Sequence, residues 1–314
     1  MSVRHPKWFP KRCPNLGAQN LGPRACGVPN RCVLSVGVLD SPAMSAKREQ
    51  TPMRICRFTT SEITTPRLGL VEESYALPLA EGETIASFPS PRTQSAISIA
   101  EVKLLAPVVP SKIVCVGRNY LEHAAELGNK MPDEPLLFLK APSAVIANGD
   151  CIELPPQSKQ VEHEGELGVV IGRRARKLTE KADPLDYVLG YTCVNDVTAR
   201  DLQRKDVQFT RAKSFDTFCP VGPFIVDGLD PLNLVVTTRL NGTVKQNGRT
   251  ADMAFSVPFL IRYIADIMTL YPGDLIATGT PAGVSLMKDG DVVEVEIEGI
   301  GVLRNSVCGA VGTM

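Results

Sequence analysis

The sequence predicts an α+β, mainly β chain: a mixed β-sandwich roll with a few short helices and a small β-rich N-terminal domain. Three observations lead there. β-branched and apolar runs of strand length recur from Ile113 to Ile297, a two-residue hairpin signal joins one pair of them, and helical periodicity is confined to short stretches. A doubly wound parallel sheet would require strands and helices to alternate regularly, and they do not.

The elements follow in chain order. The opening residues scatter Pro6, Pro10, Pro14, Pro23, Pro29 and Pro42 among Arg, Asn and Gly, so residues 1–52 are expected to be a disordered leader or the product of a mis-assigned start. Bases outnumber acids there, as in an organelle transit peptide, but the prolines oppose the amphipathic helix such a peptide needs. Met44 and Met53 are alternative starts, because Arg54 to Phe58 is the first stretch that reads as a strand. Residues 53–106 form the small β-rich domain, with Arg67 to Val71 and Ser95 to Val102 as its apolar pieces. Pro107 and Pro110 mark the boundary, and residues 107–314 carry the main domain.

Within it, strands are expected at Ile113 to Val116, Leu136 to Leu139, Glu162 to Ile171, Val188 to Val194, Phe224 to Val226, Val235 to Leu240, Asp274 to Thr278 and Val292 to Ile297. Asn241-Gly242 is a tight-hairpin dipeptide between Leu240 and Thr243. The clearest helix runs from Pro258 to Met268, with proline in its first turn and Leu260, Ile264 and Ile267 among the residues of its apolar face.

Composition excludes several functions. Lys plus Arg and Asp plus Glu both number 34 among 314 residues, which gives no field to attract nucleic acid or an anionic membrane. No apolar run reaches the roughly 18 residues a membrane span needs. The nine cysteines are odd in number, lack C-x-x-C spacing and mostly lie in apolar runs, so they read as reduced small hydrophobes of a reducing compartment, the cytoplasm. The basic leader leaves delivery to an organelle open.

Chemistry concentrates in a few segments. In Val161-Glu162-His163-Glu164-Gly165-Glu166-Leu167-Gly168, extended backbone would put Glu164 and Glu166 on one face. Such close carboxylates beside an apolar strand call for a positive partner, and a hard divalent cation such as Mg²⁺, Mn²⁺ or Ca²⁺ suits an all-oxygen set. The competing reading is an ordinary acidic strand end. Asp196 follows the apolar run Val188 to Val194 and supplies a third carboxylate; its alternative is a turn or helix cap. His123 and Glu126 are three apart on a short helix ending at Gly128, so the carboxylate can orient the imidazole as a base, or the two can be a surface pair. His163 points away from its flanking glutamates and reads as structural. Lys140 and Lys213 edge apolar segments and either are solvated or hold an anion, and the turn Gly279-Thr280-Pro281-Ala282-Gly283 could grip a carboxylate.

Taken together, Val116-Gly117-Arg118-Asn119-Tyr120 with His123 and Glu126, His163 to Gly168, Asn195 to Asp201, Ala212 to Asp216 and Thr278 to Val284 resemble the fumarylacetoacetate hydrolase family over about Lys112 to Val307. The resemblance implies the sandwich roll, a homodimer, and Mg²⁺ (or Mn²⁺) on residues matching Glu164, Glu166 and Asp196. It also implies His123 and Glu126 as the catalytic pair, Lys213 as oxyanion holder, and Lys140, Arg200, Gln203 and Thr280 as substrate contacts. The short N-terminal domain resembles the acylpyruvase and 2-hydroxyhepta-2,4-diene-1,7-dioate isomerase branch. The implied activity is a metal-dependent hydrolase that cleaves a carbon–carbon bond in acylpyruvates or related β-diketo and 2-oxo acids through a metal-bound enolate. Isomerisation of 5-carboxymethyl-2-hydroxymuconate or a 2-hydroxydienedioate and oxaloacetate decarboxylation are the enzymatic alternatives, and a metal-stabilised binding domain is the non-enzymatic one.

Overall fold

In the computed structural model, residues 52–87 and 95–309 are described. The expected leader, apart from its last residue, lies outside them, as do Cys13, Cys26 and Cys32. The long strand Gly165–Ile171 is the centre of the molecule and is buried along its whole length. Its Leu167, Val169 and Ile171 enter one apolar core while Val170 enters the other, so a near-continuous apolar run is what a strand covered on both faces demands.

The main sheet orders its strands as Ile97–Ser98, Tyr75–Pro78, Arg67–Glu72, Arg54–Thr59, Cys219–Val226, Val188–Asn195, Gly165–Ile171, Leu275–Ala277, Ile113–Gly117 and Leu136–Lys140. Two short strands pair at its margins, Lys103–Leu105 on Arg54–Thr59 and Val145–Ile146 on Cys219–Val226. The N-terminal strands are thus hydrogen-bonded into the main sheet, with Arg54 opposite Val226 and Ile55 opposite Ile225.

A second sheet orders Thr243–Arg249, Val235–Leu240, Val292–Ile297, Gly301–Cys308 and Cys151–Glu153. Val236, Val295, Ile297 and Leu303 from this sheet meet Leu167, Val169, Tyr191 and Cys193 from the main one, which makes the sandwich. Asn241 and Gly242 turn the hairpin with φ of +52° and +76°, the left-handed pair expected of that dipeptide. The four α-helices of the described residues are short: α1 (Leu121–Glu126), α2 (Arg200–Lys205), α3 (Thr210–Lys213) and α4 (Val257–Ile267). α4 buries Val257, Leu260, Ile261, Ile264 and Ala265 in the same core.

Two expectations are corrected. The strand over Glu162 to Ile171 is interrupted: Val161–Glu162 pairs with Thr198–Ala199, and the ladder resumes only at Gly165. The imidazole of His163 is held by Gln246 and Ser285, while the Glu164 amide donates to the side chain of Asn195 at 2.9 Å instead of to a strand. The cysteines are also not all reduced. Cys56, Cys115, Cys193 and Cys219 are buried thiols, but Cys151 and Cys308 form a disulfide between parallel strands at the edge of the second sheet. Their separation of 157 residues gave no local sign of the pairing, and it removes the ground for reading the compartment from cysteine usage.

Candidate active site

The site forms where the Gly165–Ile171 strand, its neighbour Val188–Asn195 and the turn after Leu275–Ala277 end together. Gly165 pairs with Asn195, and the Asp196 amide donates to the Glu164 carbonyl at 2.8 Å, so the backbone ladder itself sets Glu164 beside Asp196. Glu166 lies one step along the strand and accepts from the Gly279 amide at 2.8 Å. One oxygen from each of Glu164, Glu166 and Asp196 falls within 4.8 Å of the others, and all three residues are buried.

Buried cations hold the trio. Lys213, at the end of α3, donates to Glu164 Oε2 at 2.7 Å and Asp196 Oδ2 at 2.6 Å. Lys140 donates to Asp196 Oδ1 at 2.6 Å and to the Val197 carbonyl at 3.1 Å. Arg200, opening α2, donates through Nε to Glu162 at 2.8 Å and through a second nitrogen to Glu164. Burial by itself would raise the Glu164 carboxyl, but Lys213 and Arg200 outweigh it and hold it well below the usual carboxylate range. Burial would likewise lower Lys213, and Asp196 and Glu164 reverse the sign.

Glu166 is the exception. Burial, Asp196 and Glu164 together push its carboxyl well up, and among the described residues it has no cation in contact. Glu162, Glu164 and Asp196 are paired with Lys140, Arg200 and Lys213, which leaves Glu166 as the trio's one carboxyl without an ion-pair partner among the described residues. A hard, oxygen-seeking divalent ion fits that unpaired carboxyl and the all-oxygen donor set.

His123 lines the cavity beside the trio, and its Nδ1–H donates to Glu126 at 3.2 Å. Glu126 is fixed in turn by the Gly283 amide at 3.1 Å. Gly283 cannot be replaced freely: its φ is +103°, and a Cβ there would lie 1.9 Å from the Lys245 carbonyl. With Nδ1 committed, Nε2 is the nitrogen left to exchange a proton.

The cavity has a volume of about 280 Å³ and combines the acidic floor with an apolar wall that includes Leu136, Phe138 and Phe209. Gln203 lines it and accepts from Arg200 at 2.6 Å. Thr280 lines it too, but its hydroxyl donates to the Gly165 carbonyl at 2.9 Å and accepts from Gln246 at 2.7 Å. Lys140 stands behind Asp196 and is not among the lining residues.

Three contributors escaped sequence reasoning. Gln246 accepts from the Gly165 amide and the His163 ring while donating to Thr280 and the Pro281 carbonyl, a hub legible only once the hairpin is docked. Glu162, flanking the recognised pair, is the second acceptor of Arg200. Arg118 lines the cavity at a φ of +58°, and its position between Gly117 and Asn119 in a strand-to-helix turn was the available signal.

Comparison with known proteins places this arrangement. Residues 112–308 match the fumarylacetoacetate (FAA) hydrolase C-terminal family, and residues 53–107 match the Rv2993c-like N-terminal family. Oxaloacetate tautomerase YisK of Bacillus subtilis is 44% identical over 225 residues, which span 67% of this chain and 74% of that protein. A mitochondrial oxaloacetate tautomerase of Bos taurus is 45% identical over 221 residues, 66% of this chain and 70% of its own. The crystal structure of 2-hydroxyhepta-2,4-diene-1,7-dioate isomerase from Mycobacterium marinum superposes with a TM-score of 0.74 at 40% identity, covering 83% of this chain and all of that one. With the family match extending across most of the chain and the buried acidic trio at its centre, this protein belongs to the fumarylacetoacetate hydrolase family.

Proposed function

We propose that this protein is a divalent-metal-dependent enzyme that relocates a proton on a small 2-oxo acid, with keto–enol tautomerisation of oxaloacetate as its leading reaction. The observation that carries the reading is the convergence of Glu164, Glu166 and Asp196 beside the His123–Glu126 pair in one cavity. The names of two relatives and of one solved structure, all tautomerases or isomerases, favour proton relocation over bond cleavage. All the assigned residues lie in 107–314, the proposed catalytic domain, with 53–106 as a β-rich appendage.

Glu164, Glu166 and Asp196 would hold Mg²⁺ or Mn²⁺, which supplies Lewis-acid polarisation of the oxygens of a 2-oxo acid. The chain's own groups do the rest. In conversion of enol to keto acid, the enol oxygen loses a proton and carbon 3 gains one. His123 Nε2 exchanges the proton while Glu126 keeps Nδ1 protonated and the ring oriented. Lys213, held between Glu164 and Asp196, contributes a buried positive charge opposite the developing oxyanion. The apolar wall around Phe138 and Phe209 limits water at the reacting carbon.

Carbon–carbon hydrolysis of an acylpyruvate is the second reading, favoured by the same His123–Glu126 contact, since an oriented imidazole also activates water. Purified protein with Mg²⁺ or Mn²⁺ is to be assayed for decay of the enol absorbance of oxaloacetate and for cleavage of acetylpyruvate. Acceleration of the first that falls about a hundredfold or more in His123→Ala is expected. Cleavage without tautomerisation would establish the second reading, and inertness towards both would leave a binding domain.

A further inference from the structure

Arg118 has no part in the proton transfer above, yet the fold holds it in an unusual way. Its φ of +58° lies in the left-handed region that long side chains rarely adopt. The turn is clamped immediately afterwards by Asn119, whose amide donates to the carbonyls of Thr278 at 2.7 Å and Phe255 at 3.0 Å and whose oxygen accepts from the Phe255 amide at 2.8 Å. Before it, Ile113–Gly117 is paired on both edges, with Leu275–Ala277 and Leu136–Lys140. That backbone brings a half-buried guanidinium to line the same cavity as the acidic trio.

The other cavity-lining cations already have partners. Arg200 serves Glu162 and Glu164, Lys213 serves Glu164 and Asp196, and Arg204 donates to the Gln160 side chain. Arg118 alone among the described cations lining this cavity makes no side-chain hydrogen bond or ion pair with the described residues. A planar fork of five donors without an acceptor, partly withdrawn from water, is complete only when an anion arrives.

We propose that Arg118 anchors the second carboxylate of a dicarboxylic 2-oxo acid and makes the site select substrates that are anionic at both ends, an inference that rests on the 2-oxo acid reading above. The carboxylate and 2-oxo oxygen at one end are common to every candidate substrate and belong with the acidic trio and its cation. Substrates differ at the far end. A neutral acyl group there leaves the guanidinium unpaired, whereas a carboxylate takes a bidentate, charge-assisted pair.

The test compares oxaloacetate, with two carboxylates, against acetylpyruvate, with one, in wild type, Arg118→Asn and Arg118→Lys. Asparagine tolerates positive φ, so the turn is preserved while the guanidinium is lost. The expected result is a fall of about thirtyfold in kcat/KM for oxaloacetate in Arg118→Asn, chiefly through KM, the size of a lost charge-assisted pair. Acetylpyruvate, followed by turnover or as a competitive inhibitor, should lose at least about tenfold less, and Arg118→Lys should fall between wild type and Arg118→Asn. Circular dichroism verifies folding, and if the asparagine variant is unfolded the lysine variant decides by the same ratio. Equal loss for both ligands, or no loss for either, overturns the assignment of Arg118 while leaving the 2-oxo acid reading intact. A wild-type protein that neither turns over nor binds either ligand overturns both.

Discussion

Glu166 and Lys140 show how differently two buried charges behave in one site. Glu166 is flanked by Asp196 and Glu164 with only the Gly279 amide in contact, so Glu166→Gln removes repulsion. The metal-free variant is expected to be as stable as wild type or more so by about 1–2 kcal/mol, measured by urea unfolding. The same variant should bind Mg²⁺ or Mn²⁺ at least about a hundredfold more weakly by calorimetry, because a charged oxygen has left the donor set. Lys140→Met does the reverse: it strips Asp196 of a buried partner and should cost about 3 kcal/mol in unfolding free energy. The identity of the acids was readable at this scale, since Glu164, Glu166 and Asp196 stand in recognisable segments. The role of Lys140 was not, because whether a lysine faces a cavity or the back of an aspartate depends on contacts 56 residues apart.

At the scale of elements, the turn that ends at Gly283 couples the second sheet to the His123–Glu126 pair. Gly283→Ala would drive a Cβ into the Lys245 carbonyl and displace the amide that holds Glu126. The expected outcome is a loss of roughly 2 kcal/mol or more in stability together with reduced kcat, read by thermal unfolding and the oxaloacetate assay. The Cys151–Cys308 bond closes a loop of 157 residues at the sheet edge, so Cys151→Ser should lower stability by about 2–4 kcal/mol under non-reducing conditions. Peptide mass spectrometry without reductant should recover the two cysteines as one linked pair. Local pattern served the hairpin at Asn241-Gly242 and the position of α4 well, because both follow from neighbours in sequence, but it misjudged part of the helix face: Leu260 and Ile264 are buried as expected, whereas Ile267 is exposed and Val257, Ile261 and Ala265 face the core. It overran at His163 and Glu164, where Gln246 and Asn195 from other strands compete for the backbone and ring and end the pairing.

For the whole molecule, stability should depend on pH through His163. Burial holds its imidazole below the ordinary value of 6.5, outweighing Gln246, Glu164 and Glu162, which act upward, while Lys245 acts with burial. The unfolded chain therefore binds a proton below about pH 6.5 that the folded chain refuses, so this contribution is complete above that pH and is lost as pH falls. Unfolding free energy should decline as pH falls below 6.5, by at most about 1.4 kcal/mol per pH unit for this group once the unfolded imidazole is fully protonated, and His163→Gln should flatten the slope. Added Mg²⁺ or Mn²⁺ should raise the melting temperature of wild type, and a chelator should reverse it, by mass action on the folded state alone. No helix among the described residues is long and apolar enough to cross a membrane. Light scattering tests the homodimer that the family resemblance implies, the expected mass being that of two chains.

The strand-rich class, the hairpin, the position of the main amphipathic helix and the acidic, basic and imidazole side chains proposed for the site were legible from the sequence, because these rest on side-chain type and short-range periodicity. Tertiary contacts alone dictate that Glu164 leaves its strand yet still meets Glu166 and Asp196, that Gly283 holds Glu126, that Cys151 finds Cys308 and that Arg118 is left without a partner among the described residues. Each of those depends on groups from distant parts of the chain competing for one another in a buried space, and no local pattern encodes the outcome of that competition.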